Sequence, residues 1–365
     1  MKTLLLIAAG WNRLSSEEYR KREAEDRSPR VTLFETRLNC DLIGDEFPAG
    51  VPLWRKIFYR FIPHNYAQVL EAFFLRKRYD AIISWAEHLT LPLAFLLKIS
   101  RSQIPHIAIF SWIKKKKKAV VLRVVQSHID RMCIQSSVQR EFAIRTLGIP
   151  EHKIVPMDWN VDTTFWRPMG KVGEMISTSG REMRDYVTLI KAVWDTGIRC
   201  HVAARVIPWK KDEWVDRLQE MRELPAHITI GYDEPQLTVR DYYARSRFVV
   251  LPLLPCEIEV GSTVLLEAMA MGKAVVCSKV EGQRDILQDG VTGIFVPVQD
   301  VEAMRRAIVY LWEHPEIAEE MGREGRKLVE RNFRLDDWVD RIRGVVQEEI
   351  DRKGVKRVHT SFSKA

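Results

Sequence analysis

Two glutamates bracket a stretch of chain with the features of an anion site. Residues 257–273 read Glu257-Ile258-Glu259-Val260-Gly261-Ser262-Thr263-Val264-Leu265-Leu266-Glu267-Ala268-Met269-Ala270-Met271-Gly272-Lys273 and follow the apolar run Phe248–Leu251. Gly261 permits an unusual turn, Ser262 or Thr263 suits an N-cap, Val264–Met271 has helical spacing, and Gly272 is a helix stop. The pattern is strand, glycine turn, helix N-terminus. Free N–H groups and the helix dipole at such a point suit a phosphate or diphosphate. Glu259 in the turn and Glu267 in the helix are poorly placed to bind phosphate themselves. They are well placed to accept hydrogen bonds from sugar or ribose hydroxyls. A Gly-Ser-Thr turn capping a helix is common for structural reasons alone. Glu267 inside an otherwise apolar helix is harder to explain, because a buried carboxylate without partners is costly; an amphipathic face would instead leave it in solvent.

A sheet is needed to hold such a turn, and the sequence supplies two. Thr3–Ala9, Val31–Phe34, Ala81–Trp85, Ile107–Phe110, Met132–Ile134 and Lys153–Val155 read as strands, with helical patterns such as Tyr66–Leu75 and Leu91–Leu97 between them. The alternation restarts with Glu174–Ser177, Arg199–Ala204, Ile228–Gly231, Phe248–Leu251, Ala274–Cys277 and Gly293–Val296, separated by helical patterns at Tyr186–Trp194, Asp212–Leu224, Val239–Ala244 and Val264–Met271. Strand–helix alternation predicts parallel, doubly wound sheets, here two successive Rossmann-like domains. Phe165-Trp166-Arg167-Pro168-Met169-Gly170 breaks the periodicity between them. The expected organisation is an N-terminal domain over residues 1–166, a C-terminal domain over 167–334, a helix over 335–353 packing back toward the first domain, and a frayed tail over 354–365. In such folds ligands bind at the carboxyl ends of the strands, and a cleft between two facing domains is the natural place.

Composition narrows the class. A chain of 365 residues with 46% hydrophobic and 29% charged residues can bury two cores. Cys40, Cys133, Cys200, Cys256 and Cys277 form no CxxC pair and have no zinc-like spacing with histidine, so they read as free thiols of a reducing compartment. The apolar start Leu4–Ala9 is short for a signal peptide, and no run approaches the roughly 18 apolar residues of a spanning helix. A cytoplasmic protein is expected. The formal charge of +8 favours anionic partners.

Glu259 to Glu267 has the spacing E-x7-E, and with Ala268–Val276 it resembles the signature of family-4 glycosyltransferases of the GT-B fold. Val280-Glu281-Gly282, Arg284–Leu287 and Asp289–Pro297 resemble the family's following loop, turn and strand. Ser179-Gly180-Arg181 and Arg184–Ile190 are similar to the first strand, loop and helix of its donor domain, and Trp159–Asp162 with Phe165–Pro168 resembles its interdomain crossover. The resemblance covers residues 153–332 well and the N-terminal half in outline.

The resemblance implies an enzyme that takes a sugar from a nucleotide-sugar, retains anomeric configuration and needs no metal or other cofactor. It places Glu259 at the transferred sugar and Glu267 at the ribose of the nucleotide. The Gly261, Ser262 and Thr263 amides would meet the diphosphate or sugar hydroxyls, and Val264 would lie beside the ribose. Arg181 and Arg184 match the basic pair that neutralises the departing diphosphate, a task preorganised cations suit. Gly180 stands in the same loop, and Gly10 resembles the glycine loop that faces the donor phosphates from the N-terminal domain. No D-x-D pattern follows a strand end. Where many members carry a histidine after the strand equivalent to Ile107–Phe110, this chain has Ser111. Glu87 and His88, after Ala81–Trp85, are other acceptor-side candidates, with His88 equally readable as a surface residue.

Lys114, Lys115, Lys116, Lys117 and Lys118 follow Trp112 and Ile113, and Trp54–Phe61 is a second basic, aromatic stretch. Basic residues interleaved with aromatics suit an anionic membrane surface; a solvated helix start explains the lysine run as well. The acceptor expected from this pattern is a glycan, a lipid-linked group or another anionic molecule, with the enzyme peripheral at the inner face of a membrane. One lysine run does not make a nucleic-acid groove. A nucleotide-sugar epimerase, a phosphorylase of similar architecture and a non-catalytic nucleotide-sugar-binding scaffold are the rival readings. No acid/base carboxylate and histidine set for the epimerase is evident, and the four residues Glu259, Glu267, Arg181 and Arg184 together oppose the scaffold.

Overall fold

A computed structural model of the protein describes residues 1–8, 14–47, 51–110, 113, 116–170, 173–205, 217, 223–256, 260–283 and 285–354. The chain divides into two compact units. The first comprises residues 1–20, 31–158 and 336–365, and the second residues 21–30 and 159–335.

The first unit is built on a six-stranded sheet of β1 (Thr3–Leu6), β2 (Cys40–Ile43), β3 (Ala81–Trp85), β4 (His106–Phe110), β5 (Arg131–Ile134) and β6 (Ile154–Pro156), in the order β2-β1-β3-β4-β5-β6. Every neighbouring pair is parallel. Leu4, Leu6, Ile82, Ala108 and Met132 are fully buried, as expected of strands covered by crossover helices. Helix His64–Leu75 packs Val69, Ala72 and Leu75 against β1 and β3 in one apolar cluster, and helix Glu87–Ile99 adds Leu89, Leu93 and Leu97 to it. The last helix, Leu335–Arg352, also belongs to this unit from Asp336 onward. Its Trp338 ring lies 5.4 Å from Trp85 and 5.8 Å from Phe34, and Asp336 receives the Arg37 guanidinium at 2.6 Å.

Val31–Phe34 is not a strand. Leu33–Leu38 is a helix that buries Phe34 and Leu38, four residues apart on one face, and the second strand is Cys40–Ile43. The apolar run was too short to separate the two periodicities, and Asp41 interrupts the true strand.

The second unit repeats the plan with β7 (Met175–Gly180), β8 (Cys200–Ala204), β9 (Ile228–Tyr232), β10 (Ser246–Leu251), β11 (Val275–Ser278) and β12 (Gly293–Val296), ordered β12-β11-β10-β7-β8-β9 and parallel throughout. Phe248, Val250, Val276 and Val202 are fully buried among Tyr186, Leu189 and Ile190 of helix Tyr186–Val193 and Met304 and Ile308 of helix Val301–Glu313. Asp185 caps Tyr186–Val193 by accepting from the Thr188 N–H and hydroxyl at 3.2 and 2.7 Å. Helix Pro315–Asn332 approaches the end of helix Ser262–Ala270 closely: a Cβ at Gly322 would strike the Gly272 carbonyl. The sequence-predicted helix Asp212–Leu224 falls largely outside the described residues.

Segment 21–30, which the sequence reading kept with the N-terminal half, is tied to the second unit by ions. Arg30 grips the buried Asp162 through Nη2 at 2.6 Å and Nε at 3.0 Å. Asp26 accepts from Arg167 at 2.7 Å and Arg240 at 2.9 Å, and these guanidiniums hold its carboxyl down to about 2. Residues 159–166 join the same unit, with Phe165 and Trp166 buried in its core.

Candidate functional site

In the second sheet the direction of strand succession reverses between β7 and β10, which are hydrogen-bonded neighbours. Loops leaving two such strands diverge to opposite faces and open a crevice at their carboxyl ends. Gly180 ends β7, and the chain after β10 leads to Gly261 and helix Ser262–Ala270. The topology therefore brings together two motifs about 80 residues apart in sequence.

Both glycines have left-handed backbone, with φ of 108° at Gly180 and 83° at Gly261. Arg184 excludes a side chain at Gly180, and Leu251 with the left-handed backbone disfavours one at Gly261. A Cβ at Gly180 would collide with the Arg184 guanidinium, and a Cβ at Gly261 would lie 3.5 Å from its Nη1 and 2.9 Å from Leu251 Cδ2. Arg184 is only 3% exposed. Its Nε donates to the Ser179 carbonyl at 3.0 Å and its Nη1 to the Glu182 carbonyl at 2.7 Å. A fixed positive charge thus sits beside both turns. Arg181 is the more open of the two candidate arginines, with 20% of its side chain exposed, and it pairs with Glu182.

Ser262 and Thr263 are not N-caps. Gly261 occupies that position and offers no side-chain hydrogen bond. A left-handed glycine turns the chain into the helix, which leaves the first N–H groups without a side-chain cap. Ser262 is buried, its hydroxyl meeting no hydrogen-bond partner among the described residues. Thr263 is exposed at the helix start, and Val264 is buried in the core beneath it.

Glu267 is 7% exposed and its carboxyl takes no hydrogen bond from any described residue. Burial pushes its pKa up to about 8, against the pull of Arg205 and Arg184. A carboxyl held this way is costly to the fold and remains available to ligand hydroxyls. Below it, the buried Tyr243 hydroxyl bonds Ser179 Oγ at 2.6 Å, and burial followed by the nearby Glu267 raises the phenol well above its ordinary range.

Three contributors escape a reading by motif. Arg205 follows β8 directly, lies exposed, and donates its backbone N–H to the Gly180 carbonyl at 3.1 Å. Tyr243 supports Ser179 from helix Gln236–Arg245. Gln283 is fully buried and donates its side-chain N–H to the Val260 carbonyl, just before Gly261. A basic residue at a strand's carboxyl end was the available signal for Arg205; the other two depend on contacts across the fold.

Glu259, Gly10, Ser111, Lys114 and Lys115 lie outside the described residues. Lys116, Lys117 and Lys118 open helix Lys116–Val125, without described side chains. Glu87 and His88 belong to the first unit, where they begin helix Glu87–Ile99 after β3. Glu87 is buried and His88 exposed. The preceding Ala86 has φ 105°, a conformation unusual for a residue with a side chain. Such strain at a strand's carboxyl end is a common mark of a functional loop.

Residues 182–328 match the family described as glycosyl transferases group 1. Among sequence relatives, the chain is 32% identical over 98 residues to the alpha-D-kanosaminyltransferase of Streptomyces kanamyceticus, covering 27% of this chain and 25% of that one. It is 35% identical over 171 residues to the GDP-mannose-dependent alpha-(1-6)-phosphatidylinositol monomannoside mannosyltransferase of Mycolicibacterium smegmatis, covering 45% of this chain and 36% of that one. These matches therefore span about a quarter to a third of the curated relatives. Among solved structures, the HepE protein of Anabaena in complex with UDP superposes with a TM-score of 0.69 at 14% identity, covering 95% of this chain and 100% of that one. Two parallel six-stranded sheets, each flanked by helices, match that architecture. Residues 182–328 thus form a domain that matches the glycosyl transferases group 1 family, and the chain has the GT-B fold.

Proposed function

We propose that this protein is a retaining, metal-independent glycosyltransferase that moves a sugar from a UDP- or GDP-sugar to a glycan, lipid-linked or other anionic acceptor. The observation that carries the proposal is the arrangement around Arg184: a buried guanidinium beside two left-handed glycine turns, a helix N-terminus without a side-chain cap, and a buried carboxyl, Glu267, that takes no hydrogen bond from the described residues. The helix N-terminus and Arg184 take the diphosphate, with Arg181 and Arg205 at its outer side. Glu267 accepts from the ribose hydroxyls and Glu259 faces the transferred sugar. Negative charge that develops on the leaving diphosphate is met by fixed dipoles and cations instead of a metal ion.

In the reaction the bond between the anomeric carbon and the donor phosphate oxygen breaks. The acceptor oxygen bonds to that carbon on the same face, and its proton passes to the leaving phosphate. No protein nucleophile is consumed. The HepE complex contains UDP, and the mycobacterial relative is named for a GDP-sugar and an inositol lipid; both nucleotides stay in the proposal. Titration calorimetry with UDP and GDP tests it: one of them should bind wild type and bind Arg184→Ala at least about tenfold more weakly. Equal binding by both forms would remove Arg184 from the site.

A peripheral position at the inner face of a membrane is part of the same proposal. Helix Leu53–Tyr59 and its exit leave Leu53, Trp54 and Phe61 exposed by 73%, 65% and 81%, among Arg55, Lys56 and Arg60. Helix Lys116–Val125 exposes Val120, Val121 and Val124 behind its lysines. Among the described residues no helix is long and apolar enough to cross a membrane.

A further inference from the structure

The first unit carries a cavity at the amino ends of its strands, away from the Ala86 loop at the carboxyl end of β3. Its walls are the turns that enter β4, β5 and β6 and the end of helix Leu335–Arg352. The volume is about 410 Å³, within the range of small-ligand sites. Arg131, Lys153, Arg352 and Lys353 supply four positive charges to the wall, Asp130 and Glu349 two negative ones, and His128 and His152 two imidazoles. The net charge is +2 with both imidazoles neutral.

The two carboxylates are committed to the wall itself. Asp130 accepts from the His106 N–H at 2.8 Å, Lys353 at 2.7 Å and Arg352 at 3.1 Å. Glu349 accepts from Arg131 Nε at 2.6 Å and Arg352 Nε at 2.7 Å. These bonds fix the orientation of two guanidiniums and one ammonium without cancelling their charge. Lys153 has no carboxylate bond at all among the described residues. It donates to the Gln126 and Ile129 carbonyls at 2.7 and 3.2 Å, which leaves one of its three N–H groups. Burial first, then Lys353 and Arg352, push the Lys153 ammonium toward deprotonation against the pull of Asp130 and Glu349, and burial with Lys98, Lys353 and Lys153 does the same to His128. Crowded like charges on a rigid wall are relieved by an anion of more than one charge.

We infer that this cavity is a second anion site, taking a small soluble molecule with a phosphate or diphosphate group, separate from the donor site of the second unit. Arg352 keeps Nη1 for a phosphate oxygen, since its Nε and Nη2 serve Glu349 and Asp130, and Arg131, whose Nε and Nη1 serve Glu349 and the His152 carbonyl, adds its charge. Lys153 supplies the remaining charge, and Ser102, Gln103 and Ser127 line the same space. Because the wall joins the amino ends of three strands to the last helix, occupancy would also fasten that helix to the sheet.

Calorimetry of the full chain with inorganic pyrophosphate at low salt tests the inference, using wild type, Lys153→Met and Lys153→Arg. Wild type and Lys153→Arg should bind, and Lys153→Met should bind at least about tenfold more weakly with its unliganded melting temperature close to wild type. Equal binding by all three forms would place the anion elsewhere, and no binding to wild type below about 10 mM would make the cluster an ion-pair clamp only; either overturns the assignment. A parallel arm uses vesicles of phosphatidic acid. Lys153-dependent vesicle binding without pyrophosphate binding would assign the wall to a lipid headgroup and overturn the soluble ligand.

Discussion

The guanidinium of Arg184 fills the space into which a side chain at Gly180 would project. Strand β7, its glycine turn and the buried cation are therefore one unit of structure, and each constrains the others. Gly180→Ala is expected to cost about 1 kcal/mol for its left-handed backbone and more for the displaced arginine. Nucleotide affinity should fall at least about tenfold, read by calorimetry alongside a melting curve. Wild-type affinity in a folded Gly180→Ala protein would separate Arg184's position from binding.

Glu267 gives a pH signature. Its pKa rises from 4.5 to about 8 on folding, so between these values the folded chain keeps a proton that the unfolded chain loses. Stability attributable to this group falls as pH climbs through that window and levels off above it. Glu267→Gln should abolish the fall, giving a protein more stable than wild type at pH 9 on the order of a few kcal/mol while weakening nucleotide binding. Denaturant titrations at pH 5, 7 and 9 measure it. A parallel decline in both forms would assign the pH dependence to other groups.

Asp26 has the opposite sign. Arg167 and Arg240 hold its carboxyl down to about 2, from 3.8. It contributes stability above its unfolded value that disappears as pH falls through about 2. The side chain is 44% exposed, so screening limits the contribution to about 1 kcal/mol. Asp26→Asn should lower the melting temperature at pH 7, and by progressively less as pH falls through about 2. Limited proteolysis should cut near residues 21–30 faster in the variant.

The apolar and basic face of Leu53–Tyr59 predicts salt-sensitive membrane binding. Wild type should co-sediment with anionic vesicles at low salt and less at high salt. Trp54→Ala with Phe61→Ala should reduce the bound fraction at both. Absence of binding to anionic vesicles at low salt would contradict the peripheral reading.

The second unit was legible in sequence because its elements are marked locally. Apolar β-branched runs, Gly180, Gly261 and the polar breaks between them fall where strands end and helices begin. The first unit was less so. Phe34 and Leu38 are four apart in a helix of only six residues, too short to display a period, and Asp41 disguises β2 as a loop. Within the site, Gly261 displaced Ser262 and Thr263 as the N-cap, since a left-handed turn makes a side-chain cap unnecessary for changing direction. Gln283 and Tyr243 reach the site through hydrogen bonds to Val260 and Ser179, partners 23 and 64 positions away. No local pattern encodes such pairs.

The most direct test of the proposed activity is nucleotide release from UDP-, GDP- and ADP-sugars without acceptor and with EDTA present, for wild type and Glu267→Ala. The proposal predicts slow hydrolysis of one donor by wild type, undiminished by EDTA and lost in the variant. No release from any donor, with no thermal stabilisation by any free nucleotide, would contradict it.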